Sequence, residues 1–124
     1  MSKELEQFGE ILIRNVRDKA ISQWEKVFSG TMKDETSKKI YETSVEMLSE
    51  DQKNFLQDTI SQVVDTTLHY LLWTLEENER LNLNIKNDEG LDVGIKNITD
   101  GLPGELYTED GWILKFSKKR YLEP

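Results

Sequence analysis

Residues 49–80 read SEDQKNFLQDTISQVVDTTLHYLLWTLEENER, and this stretch decides the fold. Phe55, Leu56, Ile60, Val63, Val64, Leu68, Leu71, Leu72 and Leu75 recur at spacings of three and four, the period of an α-helix with a broad apolar stripe. Ser49, followed three residues on by Gln52, is a capping box that opens the helix. Extending over residues 50–79, it reads as the central core helix and would be about 45 Å long. A compact chain of this size has a diameter nearer ~35 Å, so the helix should bend, stop early near Leu75, or project into a partner.

Two further helices precede it. Over residues 2–29, Leu5, Phe8, Leu12, Val16, Ala20, Trp24 and Val27 keep the same spacing, with Ser2 placed to cap the start and Gly30 to stop the end. Over residues 33–48, Ile40, Tyr41, Val45 and Leu48 form the inner face of a second helix, while Glu42, Glu46 and Glu50 line an outer face at i, i+4 and i+8. Like charges so spaced cost roughly 0.2–0.5 kcal/mol per neighbouring pair unless a cation answers them.

After Arg80 the period becomes two. Leu81, Leu83 and Ile85, then Leu91, Val93 and Ile95, alternate with polar residues around the turn Asn87-Asp88-Glu89-Gly90, which predicts a β-hairpin over residues 81–96. A second hairpin is expected over residues 104–117, around Thr108-Glu109-Asp110-Gly111. The expected architecture is therefore α+β: one domain, residues 1–124, with three N-terminal helices, the third long and central, followed by a C-terminal antiparallel β-meander of three to four strands.

Composition narrows function more than it defines it. The chain has no cysteine and one histidine, which excludes disulfides, thiolate chemistry and zinc sites built on sulfur, and no cofactor is implied. Its seven glycines form neither the dinucleotide fingerprint nor a P-loop. No stretch approaches the ~18 apolar residues of a membrane span, and residues 1–6 carry no apolar signal core, so the expectation is a cytoplasmic protein without membrane contact. The net charge is −8, and residues 41–80 hold nine acids against Lys53 and Arg80, so nearly all the excess lies there. Such a field repels nucleic acid and steers a basic partner; it also serves plain solubility. The basic run Lys115-Phe116-Ser117-Lys118-Lys119-Arg120-Tyr121 is expected to lie against the acidic helices.

Candidate sites are few. His69 has Asp65 one turn before it and could form a general base, although a helix-flank histidine with an incidental neighbour has the same spacing. Asp92, Glu105, Glu109 and Asp110 could converge on a metal ion, but no lysine stands where such a site would use one. With no catalytic signature, the sequence points to a non-enzymatic interaction domain of inhibitor, immunity or adaptor type, binding a basic protein through Glu42, Glu46, Glu50, Tyr70 and Trp73. The alternative is a small ligand-binding or hydrolytic enzyme domain with its site between the long helix and the sheet. Tyr70 and Trp73 lie off the main stripe, which demands either burial within the chain, the expectation here, or a homodimer.

Overall fold

Ser2 turns its Oγ to the Leu5 amide and so opens the first helix of a computed structural model that describes residues 2–119. Helix α1 (Lys3–Leu12) passes through a π-helical turn (Ile13–Arg17) into α2 (Asp18–Ser29), which Gly30 closes at φ +75°. A π turn inserts one residue into the helical repeat and rotates everything beyond it. Val16, assigned to the apolar stripe by regular spacing, is accordingly 46% exposed, whereas Arg17 is turned inwards and only 2% exposed. Beyond the turn the buried positions are Ile21, Val27 and Phe28.

Asp34 caps α3 (Glu35–Ile40), its carboxylate accepting from the Ser37 amide, a bond that holds the Asp34 carboxyl below the usual carboxylate range. A second π turn, Tyr41–Val45, follows. Of the four side chains expected inside this element, only Val45 is fully buried. Helix α4 (Glu50–Glu77) then starts at a complete capping box: Ser49 Oγ accepts from the Gln52 amide, and Gln52 Oε1 accepts from the Ser49 amide. It runs 28 residues, past Leu75, and ends where Asn78 turns extended.

The expected meander does not form. Of the described residues 66% are helical, the long helix is the fourth α-helix rather than the third, and the described residues hold one antiparallel sheet of two strands, β1 (Asn84–Lys86) and β2 (Asp92–Gly94). Ile85 stands opposite Val93, and the turn between the strands is closed by Asn87, whose Oδ1 accepts from the amides of Glu89 and Leu91. Beyond them come 3₁₀ turns at Ile95–Asn97 and Pro103–Leu106, and a short helix α5 (Trp112–Phe116) where the second hairpin was expected.

The reason for this last correction is tertiary. The five-residue run Trp112–Phe116, apolar but for Lys115, is too short for its period to separate strand from helix, and burial decides. As a helix, α5 brings the Trp112 indole fully inside, against Gly9 of α1, where a Cβ would stand 2.4 Å from the ring. Phe8 meets the same ring edge-on at 5.6 Å. Gly111 caps α5 at a point where a Cβ would lie 1.9 Å from the Tyr107 carbonyl oxygen. The main core thus joins Leu5, Leu12 and Ile13 of the first helical rod to Leu68 and Leu72 of α4, under a lid of Ile95, Leu102, Leu106 and Trp112. Glu76 anchors that lid by accepting from the Leu102 amide at 2.5 Å. No helix among the described residues is long and apolar enough to cross a membrane.

Candidate functional site

Helix α4 is buried along one side only. The core takes Leu68 and Leu72, with Val64 and Leu75 packed against it. On the other side Phe55 is 70% exposed, Tyr70 60%, Val63 58%, Trp73 51% and Leu71 46%. Every exposed residue of α4 from Gln52 to Thr74 is uncharged, the rest being Asn54, Thr59, Gln62, Thr66, Thr67 and Thr74. The exposed charges stand at its two ends: Glu50 and Asp51 before, and Glu77, Glu79 and Arg80 after, so that each end is net acidic. Tyr70 and Trp73 are therefore not buried within the chain. Phe55, Val63 and Leu71 join them, although their spacing had assigned them to the core stripe.

The three glutamates read as one helical stripe are divided between elements. Glu42 lies in the second π turn and Glu46 just after it; both line a shallow cleft with Gly30, Met32, Lys38 and Tyr41. Glu50 is the first residue of α4 and lies 3.9 Å from Lys53. The break at Ser49 separates it from the other two.

Asp65 does not orient His69. Its carboxylate takes the Arg17 guanidinium from two sides, Nε at 2.5 Å and Nη2 at 3.2 Å. The first π turn makes this pair, since without it Arg17 would face solvent. Arg17 Nη1 donates in addition to Ser117 Oγ at 2.8 Å and to the Lys119 carbonyl at 2.7 Å, while Asp18 accepts from Ser117 Oγ and from the Lys118 amide. One buried cation thereby ties α4, the α1–α2 junction and the C-terminal segment together. His69 meets the Tyr107 hydroxyl instead, with Nδ1 at 3.2 Å, and its ring lies edge-on to Tyr70. Burial, and after it the Asp65 carboxylate, pushes the Tyr107 phenol above its ordinary value.

The hairpin acids also stay apart. Asp92 pairs with Lys86 across the sheet at 2.8 Å, and Glu105 accepts from Thr99. No group of three His, Asp or Glu side chains able to hold a metal ion occurs among the described residues. The basic closing run does meet acids, but those of the first helical rod: Lys115 pairs with Glu6 at 2.6 Å and Lys119 with Glu25 at 3.0 Å. Arg120 and Tyr121 lie outside the described residues. Comparison of the chain with protein-family models, with curated proteins and with solved structures gives no match.

Proposed function

We propose that the chain is a non-enzymatic interaction protein whose docking face is the outward side of α4, and that its partner presents an amphipathic helix with basic flanks. The observation that carries this reading is the uncharged, aromatic outer face of α4 between two acidic ends. Phe55, Val63, Tyr70, Leu71 and Trp73 together expose on the order of 500 Å², spread along the outward side of α4 among Thr59, Gln62, Thr66 and Thr67. A partner covering it with equal area forms an interface of roughly 1,000 Å², the lower bound for specific association, which suits a reversible complex. Tyr and Trp are the side chains that most often anchor such contacts. The net charge of −8 selects for a basic partner and speeds its approach.

The test uses model peptides of helical period with leucine on one face and either lysine or glutamate on the other, titrated by calorimetry. The lysine peptide is expected to bind and the glutamate peptide to bind at least about tenfold more weakly. Changing Tyr70 and Trp73 together to Ser should abolish binding of the lysine peptide without unfolding the chain, since both side chains are half exposed or more. Changing Glu50, Asp51, Glu77 and Glu79 together to their amides should weaken it, since these are the acids that flank the face. Equal binding of both peptides, or undiminished binding by the Tyr70 and Trp73 variant, would overturn the proposal.

A further inference from the structure

Away from α4, the C-terminal segment closes over the α1–α2 junction and leaves an open cleft of about 390 Å³. Its lining is Arg14, Asp18, Lys19, Ser22, Lys118 and Lys119, four cations and one carboxylate in a chain whose net charge is −8. No residue of α4 contributes. The carboxylate is already engaged: Asp18 Oδ1 takes Ser117 Oγ at 2.7 Å and Arg17 Nη1 at 3.3 Å, and its Oδ2 takes the Lys118 amide at 2.8 Å. Arg14 pairs with Glu10 and Lys119 with Glu25, both partially exposed contacts of the kind worth little in water. Lys19 and Lys118 make no ion pair among the described residues. The cleft therefore carries uncompensated positive charge, held in place because Arg17 and Asp18 pin the segment that bears Lys118 and Lys119.

We infer that this cleft is an anion site for a phosphate-bearing small molecule. Several ammonium groups, an adjacent guanidinium and the Ser22 hydroxyl supply the donors that a doubly charged phosphoryl group takes up. The size of the cleft suits a single phosphorylated compound, and the acidic remainder of the surface repels a polyanion such as nucleic acid.

The experiment is a thermal-shift and calorimetric titration with inorganic phosphate, pyrophosphate and glycerol phosphate, against sodium acetate and sodium chloride at matched ionic strength. A phosphoryl compound is expected to raise Tm by several degrees at saturation where the two controls do not. The arms separate the sources: free phosphate alone, a diphosphate or a phosphomonoester. Lys19→Gln with Lys118→Gln should cut affinity at least about tenfold while Tm of the free protein stays close to that of the parent, and Lys→Arg at both positions should retain binding. Shifts equal to those of the controls, affinity undiminished in the Gln variant, or tighter binding of a single-stranded oligonucleotide than of any of the three compounds would each overturn the inference. The leucine–lysine peptide titration addresses a different face, so the two proposals fail separately.

Discussion

Arg17 is the residue on which the most structure depends. A guanidinium 2% exposed answers Asp65 from α4 and Asp18 from α2 and holds the C-terminal segment. Removing one member of a buried pair strands the charges left behind, so Arg17→Leu should lower stability by about 3 kcal/mol in urea unfolding. Arg17→Lys should recover only part of it, because an ammonium cannot serve both oxygens of Asp65 in a planar fork. Tyr107 offers a pH signature. Its phenol titrates higher in the folded chain than its ordinary 10.0, so the fold favours the protonated form; that stability is fully present below about pH 10 and is lost as the pH rises towards the folded value. Tyr107→Phe should therefore lose less stability than the parent between about pH 9 and pH 11. At this scale the sequence reading met its limit at His69 and Asp65. Their spacing was correct for a pair, but the strongest partner of Asp65 sits 48 residues away and is turned inwards by a π turn that no local pattern announces.

Among the elements, those that begin with local hydrogen bonds could be read directly. Ser2 and Ser49 each accept from a backbone amide three residues on, and each marks a helix start that the sequence announced; Asp34 does the same for α3, one residue inside the expected start at 33. Ser49→Ala should destabilise the chain by about 1 kcal/mol, read as a fall in the urea midpoint at constant slope. The turn of the first hairpin was readable from Asn87 and Gly90, which place it by their own chemistry, but its strands are three residues each, Asn84–Lys86 and Asp92–Gly94, rather than filling residues 81–96. Residues 104–117 were not, because Trp112 and Phe116 fit either period and the choice is made by a distant glycine, Gly9, that leaves room for the indole. The outer face of α4 was half readable. Tyr70 and Trp73 stood off the stripe, but Phe55, Val63 and Leu71 looked like core because apolar spacing alone does not say which side of a long helix the chain will cover. The better signal was sparse charge: from Gln52 to Thr74 only Lys53, Asp58 and Asp65 are charged, and each is partly buried.

Over the whole molecule, charge and apolar surface pull in different directions. A second copy could cover the α4 face, but two chains of −8 repel each other, whereas a basic partner gains from the same field. Sedimentation equilibrium at micromolar concentration and low salt should accordingly return a mass near 14.5 kDa. A mass near twice that, lost on Trp73→Glu, would assign the face to a second copy instead. The most direct test of the docking face is where a bound basic amphipathic peptide perturbs the chain, read as amide chemical shifts of the ¹⁵N-labelled protein. The account predicts that the large shifts fall on Phe55, Val63, Tyr70, Leu71 and Trp73 and on the carboxylate-bearing ends of α4. Shifts centred elsewhere, with those five amides unmoved at saturation, would contradict it.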